Sequence, residues 1–306
     1  MASLSVHFAG VDFANPIVLA SGIMGITASS LIKVAHEGEL GGVTTKSIWL
    51  TPHQGHKNPV MLGTEHYFIN AVGVPDAGIE KAKEELTVYK DNTSVPLIAN
   101  VIASSETDYG LITEAISELE PDLIEVNISC PNIEDEFGKP LACSRVKAAE
   151  VTKICKSKTD IPVIIKMSPN VEDHVGIARA CEDAGADGLC CFNTFGPGML
   201  IDLESRMPVL ANKVGGVSGP GIKPLVLKMV NDIYKAVKIP IIGTGGVLTG
   251  KDALEMMMCG ATLVGVGTML YYYDIKGFVD IATEMNEWLD KHNIKNITEI
   301  IGTLKR

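Results

Sequence analysis

Eight short apolar runs alternate along the chain with longer amphipathic stretches, and this alternation constrains the fold more strongly than any other feature. Short β-branched runs separated by helical stretches are typical of parallel strands joined by crossover helices. The predicted strands span residues 16–20, 42–46, 96–101, 122–127, 162–167, 187–193, 240–244 and 262–266. Eight strand–helix units predict an α/β fold of the closed (β/α)8 type, a TIM barrel, rather than an open sheet.

Three further segments are predicted to complete this barrel. A short β-hairpin over residues 4–13 should cover the bottom, where the strands begin. The connections 48–75 and 194–220 are too long for plain turns. Because long loops in a compact domain are usually functional, we expect both to lie over the C-terminal face of the barrel. No linker or shift in composition marks a second domain, so residues 1–306 are predicted to form a single domain.

Charge and composition exclude several classes of function. The chain carries a formal net charge of -11 at pH 7, whereas a surface that follows nucleic acid or anionic lipid needs a surplus of Lys and Arg. The amino terminus lacks the pattern of a signal peptide, and no apolar run reaches membrane-spanning length. The seven cysteines include no Cys-x-x-Cys pair. No zinc site or disulfide framework is therefore predicted, and a cytoplasmic location is favoured.

The residues that close the predicted strands are unusually polar. In a barrel of this type the chemistry lies at the carboxyl ends of the strands, so these side chains should meet at one mouth. A single Lys or Asn there would most often be a rim salt bridge or a loop cap, but two Lys and three Asn favour a ligand. Amide groups both donate and accept, which suits a planar ring with carbonyl and N–H groups, and lysines could stabilise negative charge. The strand-end residues are Ser21, Lys46, Ser47, Asn100, Asn127, Lys166, Asn193 and Thr194.

Glycines cluster near and after the last strands and predict a phosphate site. Backbone amides bared by glycine at this end of the barrel are the usual phosphate cradle of the fold, although tight turns account for some of these glycines. The glycine-containing runs are 215–216, 219–221, 243–246 and 265–267. A dinucleotide fingerprint fails, because Leu248 stands where its third glycine is required. A mononucleotide is therefore a better candidate ligand than NAD.

Cys130 is the strongest candidate for a catalytic side chain. It follows the fourth predicted strand, between Ser129 and Pro131, where a side chain should face the mouth rather than the core. A thiolate there could act as a nucleophile or as a base. A nucleophile of the Cys–His type requires a histidine partner, and none of the seven histidines closes a strand, which favours the base. The other cysteines are interpreted as structural: Cys143, Cys155, Cys181, Cys190, Cys191 and Cys259.

Together these motifs resemble those of the dihydroorotate dehydrogenase family over nearly the full length of the chain. The matching segments are 44–47 (TTKS), Asn70 with Gly73, 127–132 (NISCPN), 165–166 (IK), 193–194 (NT), 219–224 (GPGIKP), 241–246 (IIGTGG) and 266–268 (VGT). Segment 127–132 is highly specific in combination with the others, whereas any one glycine pair is weak.

The resemblance implies an enzyme that oxidises dihydroorotate to orotate in pyrimidine biosynthesis with FMN as its cofactor. Cys130 would take a proton from ring carbon 5 while hydride leaves carbon 6 for flavin N5. The implied FMN-binding residues are Ser21, Lys46, Ser47, Asn100, Asn127, Lys166, Gly219, Gly221, Gly245, Gly246, Gly267 and Thr268. The implied substrate-binding residues are Lys46, Asn70, Ala71, Val72, Gly73, Val74, Asn127, Asn193 and Thr194. No metal site is implied in this chain.

The resemblance also implies a branch of the family. Membrane-associated relatives carry Ser at the base position, whereas segments 196–202 and 215–220 resemble members that pass electrons to NAD through a second subunit. We therefore expect a homodimer that pairs with an iron-sulfur and FAD subunit in a heterotetramer. Val74 and Asp76 stand where relatives commonly have Leu and Asn, and the loop after Asn132 is acidic. These departures leave the exact pyrimidine and the physiological electron acceptor open.

Other functions also remain open at the level of sequence. A related FMN oxidoreductase acting on another dihydropyrimidine would use the same residues. A flavin-free lyase or isomerase of a phosphorylated metabolite, with Lys46 or Lys166 as a Schiff-base lysine, shares the phosphate cradle but leaves Cys130 without a role. A non-catalytic scaffold subunit predicts no turnover with any electron acceptor.

Overall fold

The computed structural model describes residues 2–129 and 143–305, and the strands and helices of these ranges alternate as the sequence predicts. In chain order, the strands are β1 (Val6–Phe8), β2 (Val11–Phe13), β3 (Ile17–Leu19), β4 (Gly42–Thr44), β5 (Met61–Gly63), β6 (Phe68–Asn70), β7 (Leu97–Val101), β8 (Leu123–Asn127), β9 (Val163–Lys166), β10 (Gly188–Cys191), β11 (Phe195–Gly198), β12 (Ile201–Asp202), β13 (Met207–Pro208), β14 (Gly215–Ser218), β15 (Ile241–Thr244) and β16 (Leu263–Val266).

The helices surround these strands. They are α1 (Ala28–Glu37), α2 (Ile79–Asn92), α3 (Glu106–Ser117), α4 (Arg145–Lys156), α5 (His174–Asp183), α6 (Lys223–Tyr234), α7 (Gly250–Met258), α8 (Met269–Tyr273) and α9 (Lys276–Lys291), with 3-10 turns at Pro220–Ile222 and Ile297–Ile300. No helix within the described ranges is long and apolar enough to cross a membrane.

Eight parallel strands close into a barrel in the order β3-β4-β7-β8-β9-β10-β15-β16, with β16 pairing back to β3. Each of the eight predicted strands contains one of them, so the predicted (β/α)8 fold is confirmed. Several observed strands are shorter at the carboxyl end, because the chain there leaves the ladder. The Lys46 amide, for example, donates to the Gly25 carbonyl at 3.1 Å instead of continuing β4.

Local sequence signals position the outer helices. Helix α7 begins with a reciprocal capping box, in which the Thr249 hydroxyl accepts from the Asp252 amide and the Asp252 carboxylate accepts from the Thr249 amide. Its buried face includes Ala253, Leu254 and Met257, which pack in the main hydrophobic core. The cap therefore fixes where the chain turns away from β15, on the side of the barrel where the predicted phosphate site lies.

The predicted N-terminal hairpin is present and closes the bottom of the barrel. Strands β1 and β2 pair antiparallel, and the rings of Phe8 and Phe13 meet edge to face at 6.4 Å. A Cβ atom on Gly188 would lie 2.9 Å from the Phe8 ring, so this ring packs directly on the backbone where β10 begins. The bottom is thus filled by apolar side chains, which leaves the opposite end for polar chemistry.

A four-stranded antiparallel sheet, which we call the mouth sheet, covers the other end of the barrel. It comprises β11, β14, β6 and β5 in that order, with Asn70 opposite Gly216. The two long connections predicted to be functional loops supply these strands. The sequence showed the loops but not the strands, because the strands have three or four residues each and β11 and β14 are rich in glycine.

Candidate active site

A cavity of about 430 Å³ lies between the barrel and the mouth sheet. Its volume is in the range of small-molecule sites, and the carboxyl ends of barrel strands are where such sites occur. Most of the residues predicted to bind a ligand line it: Ser21, Lys46, Ser47, Asn70, Val72, Gly73, Val74, Asn127, Lys166, Asn193, Thr194, Gly219, Gly245, Gly246, Gly267 and Thr268.

Three predicted binding residues lie outside the cavity lining. Asn100 is fully buried in the barrel interior. The amide of Ala71 donates to the Val60 carbonyl at 2.7 Å, and that of Gly221 donates to the His66 carbonyl at 2.9 Å, so both amides already have protein partners. The predicted catalytic residue, Cys130, lies outside the described residues.

Sequence reasoning missed part of the lining. Some of these residues are immediate neighbours of predicted ones and carry the same strand-end signal. Phe68 and Tyr271 carry none: they come from distant segments, and their ring centroids meet at 4.9 Å. Thr244 and Gly265 lie in the glycine-containing runs predicted for the phosphate. The missed residues are Ala20, Gly22, Ile23, Val60, Met61, Phe68, Phe192, Ser218, Ile222, Val247 and Tyr271.

A chain of hydrogen-bonded amides and hydroxyls fixes the polar side chains of three strand ends. Asn127 Nδ2 donates to Ser47 Oγ at 3.2 Å, and Ser129 Oγ donates to Asn127 Oδ1 at 2.5 Å. Asn193 Nδ2 in turn donates to Ser129 Oγ at 2.5 Å. The Tyr109 hydroxyl anchors the same strand end by donating to the Asn127 carbonyl at 2.7 Å. Because each amide is bonded to its neighbour, their orientations are set before any ligand binds.

Lys46 is hydrogen-bonded to the loop that follows the predicted substrate-binding residues 70–74. Its ammonium donates to the Pro75 carbonyl at 2.5 Å. Burial lowers the pKa of Lys46, and the nearby Asp76 carboxylate opposes that shift only in part. Oδ2 of Asp76 also accepts from the amides of Trp49 at 3.0 Å and Gly78 at 2.9 Å. Asp76 therefore both holds the loop and supplies the charge that faces Lys46.

Lys166 has the opposite electrostatic environment. Its ammonium is buried, which disfavours the charge, but Nζ lies 3.5 Å from Oε1 of Glu125, and the carboxylate raises the pKa of Lys166 above its usual value. Glu125 was not among the predicted site residues. The available signal was a carboxylate in the middle of an apolar strand, two positions before Asn127 and hence on the same face.

Glycines form the wall of the cavity after β15 and β16. Gly246 adopts a φ of +78°, in the left-handed region that favours glycine. A Cβ atom there would lie 2.6 Å from Cβ and 2.8 Å from Cα and N of Lys223. Lys223 has little freedom to move, because its ammonium is bonded to Asp252 at 2.5 Å and Glu255 at 2.7 Å. The backbone at Gly246 therefore fits closely against the start of α6.

The sequence matches the family described as "Dihydroorotate dehydrogenase" over residues 3–289. The chain belongs to this family. It is accordingly an oxidoreductase, and the predicted family is confirmed.

Individual members of the dihydroorotate dehydrogenase family match almost end to end. Relatives named "Dihydroorotate dehydrogenase B (NAD(+)), catalytic subunit" include those of Methanosarcina acetivorans, 39% identical over 97% of this chain and 94% of the relative, and Methanocaldococcus jannaschii, 40% identical over 98% and 97%. That of a Geobacter species is 41% identical over 99% and 98%. The fold is similar to the ligand-free DHODH of Eimeria tenella, with a TM-score of 0.87 at 24% identity, covering 100% of this chain and 93% of that one.

Replacing Asp76 with Asn should lower the pKa of Lys46 further. The Asn carbonyl still accepts from Trp49 and Gly78, but the charge that opposes the effect of burial is lost. Competitive acetylation at pH 8, read by mass spectrometry, should show Lys46 reacting roughly threefold faster or more relative to other lysines. Glu80→Gln, which removes an exposed carboxylate from the first turn of α2, serves as the control. An unchanged Lys46 rate in D76N would contradict this electrostatic role.

Proposed function

We propose that this chain oxidises (S)-dihydroorotate to orotate in de novo pyrimidine biosynthesis, with FMN as first electron acceptor and Cys130 as base. The observation that carries the proposal is the convergence, on one cavity, of ordered amides, two lysines with opposite pKa shifts and a glycine wall. Family membership supplies the reaction class. The proposed oxidation removes a proton from carbon 5 and a hydride from carbon 6, and a C5=C6 double bond forms.

The amide side chains suit the proposed substrate. A dihydropyrimidine ring presents carbonyl oxygens and N–H groups along its edge, and Asn70, Asn127 and Asn193 offer matching donors and acceptors. Lys46 supplies positive charge for the substrate's carboxylate. Because the amides of Asn127 and Asn193 are already hydrogen-bonded through Ser129, little ordering remains when the ring binds.

The residues present also fit FMN, a planar ring system that carries a phosphate. Gly245, Gly246, Gly267 and Thr268 lie after the last two strands, where this fold holds phosphate. Oδ1 of Asn100 is buried with no hydrogen-bond partner in the described structure, as expected of an acceptor whose donor belongs to a ligand. When bound, FMN supplies an acceptor for hydride. Lys166 would hold positive charge beside its ring, and we propose that residues 1–306 form one FMN-binding domain.

Cys130 is assigned as the base from the sequence, since it lies outside the described residues. It directly follows Ser129, which links Asn127 and Asn193 in the chain of hydrogen bonds. A thiolate at this point of the chain can take the proton from carbon 5. Asn127 and Asn193 would hold the substrate ring in position beside the thiolate.

A second subunit is proposed for the onward transfer of electrons. The relatives are named as catalytic subunits of NAD-dependent enzymes, which supports a separate electron-transfer subunit. We propose that the subunit carries an iron-sulfur cluster and FAD and that two copies of each chain form a heterotetramer. Five buried cysteines form no disulfide, which supports the reducing cytoplasm as the proposed location: Cys155, Cys181, Cys190, Cys191 and Cys259.

One observation favours the flavin-free alternative. A lysine with a lowered pKa, as at Lys46, is the kind that forms Schiff bases. That reaction gives no role to the amide and hydroxyl chain or to Lys166, whose raised pKa makes it a poor nucleophile. A flavin-dependent function therefore gives a role to more of the residues that line the cavity.

The purified chain should be yellow, and dihydroorotate added without oxygen should bleach the flavin absorbance. Cys130→Ala should keep the colour but slow the bleaching by on the order of a hundredfold or more, because the proton on carbon 5 loses its acceptor. Stopped-flow absorbance measures both rates. Fast bleaching of C130A would exclude Cys130 as the base, and a colourless protein that takes up no added FMN would exclude the flavin function.

Replacing Gly246 with Ala should weaken FMN binding by at least about tenfold, or about 1.4 kcal/mol. The new Cβ would collide with the Lys223 backbone and displace the glycine wall. Gly10→Ala is a matched control, because Gly10 has a φ of +88° but nothing within 4 Å of its added Cβ. Both variants carry the left-handed backbone strain, whereas only G246A should lose affinity in fluorescence titrations with FMN. Equal losses would show that the wall does not contact the phosphate.

The isolated chain should reduce an artificial dye with dihydroorotate but reduce NAD only when the second subunit is present. The reason is that NAD needs its own site, and the glycine pattern here fits a mononucleotide. The two reactions can be followed by dye absorbance and by NADH absorbance. Direct reduction of NAD by the isolated chain would overturn the need for a partner.

A further inference from the structure

Glu125 is a carboxylate buried inside the barrel, at 2% exposure, below the cavity. It occupies the middle of β8, between Ile124 and Val126. Alternate residues of a strand face the same side, so Glu125 points into the barrel like Asn127, one layer deeper. Asn127 lines the cavity and Glu125 does not. A charge in this layer is costly unless it is paired and hydrogen-bonded.

Neighbouring strands provide the partners of this carboxylate. Asn100 on β7 is in register with Glu125, and its Nδ2 donates to Glu125 Oε1 at 2.5 Å. Lys166 on β9 places Nζ 3.5 Å from the same oxygen. Lys166 lines the cavity, so the ammonium separates the carboxylate from the ligand space. Glu125 therefore links Lys166, which lines the cavity, to Asn100, which does not.

Within ranges 2–129 and 143–305, two titratable groups face Lys166 from the strands on either side. Glu125 lies on β8, and Cys190 lies on β10 in register with Lys166. Burial raises the pKa of the Cys190 thiol well above its usual value, so this thiol stays neutral near pH 7. Its sulfur lies 3.6 Å from the Thr244 hydroxyl, and the thiol is also hydrogen-bonded to the Glu125 carboxylate. Glu125 is thus the anion that keeps Lys166 charged.

We propose that Glu125 is a positioning residue that fixes the Lys166 ammonium at the floor of the cavity and, by neutralising most of its charge, sets the reduction potential of the bound flavin. This inference rests on the proposed function for the identity of the cofactor. The pair is close to neutral overall, so it does not strongly favour an anionic ligand. The ammonium remains protonated nonetheless, and it can stabilise negative charge that develops on the ring during reduction.

Glu125→Gln isolates the charge from the shape of the residue. The Gln side chain keeps an oxygen that accepts from Asn100 but removes the anion beside Lys166. At pH 6 the ammonium would then be unneutralised, and the reduced-to-oxidised ratio of the flavin at a fixed potential should rise about tenfold or more. For a two-electron couple this corresponds to about 30 mV.

A double-mutant cycle distinguishes positioning through Lys166 from a direct or merely structural effect. The four proteins are the wild type, E125Q, K166Q and E125Q/K166Q, each titrated with reference dyes at pH 6. Glu125→Gln should shift the potential strongly when Lys166 is present and less than about twofold in ratio when it is absent. A shift of equal size in both backgrounds, or none in either, would overturn the proposal. Asp187→Asn is a control that breaks the Lys156–Asp187 ion pair outside the cavity lining, at 2.7 Å, and should leave the potential unchanged.

The unfolding of the flavin-free protein gives a second readout that does not depend on the proposed function. In the wild type the pKa of Lys166 is raised, so its stabilising effect persists below the unfolded pKa of about 10.4 and is lost only above it. Without Glu125 the effect of burial dominates, and the folded-state pKa of Lys166 falls. E125Q should therefore lose stability relative to E125Q/K166Q as the pH falls from 9 to 6. A difference in melting temperature that does not vary with pH would overturn the role of Glu125 even if no flavin binds.

Discussion

Closure of the eight-stranded sheet is the constraint on which the rest of the molecule depends. Once β16 pairs with β3, every barrel strand has a hydrogen-bonded neighbour on both sides, and no edge is left exposed. The eight barrel strands all run in the same direction, so their carboxyl ends form one rim. Residues as far apart in sequence as Ser21 and Thr268 consequently share one cavity. The opposite end has no such role and is filled by Phe8 and Phe13.

The same rim gives two lysines opposite properties. Lys46 is half-buried on the loop side, and burial outweighs the charge of Asp76, so its pKa falls. Lys166 is more deeply buried, yet its pKa rises because Glu125 lies within ion-pair distance. Residue type therefore does not determine electrostatic role at this site. The position of each lysine does, because it decides which carboxylate lies close to the ammonium.

The sequence predicts the repeated strand–helix units well, but it does not predict the sheet that forms between segments far apart in the chain. The barrel strands and the hairpin were predictable, because apolar runs and turn residues are local signals. The strand-end position of Lys46, Asn127 and Lys166 followed from the same pattern. The mouth sheet was not predictable, since β11 and β14 are short and glycine-rich and pair only through tertiary contacts. Glu125 was missed because an apolar run was read as core throughout, although a lone carboxylate in such a run requires a buried partner.

The mouth sheet has a consequence for how the molecule forms. Its central pair joins β6 to β14, so four barrel strands lie between Asn70 and Gly216 in the chain. Contacts between residues this far apart in sequence form only after a long loop has closed, with a loss of chain entropy. Neighbouring βα units, in contrast, form from nearby segments. The barrel can therefore be largely formed before the strands of the mouth sheet pair. We therefore expect the mouth sheet to order after the barrel and to open locally before it, which would give an incoming molecule access to the cavity.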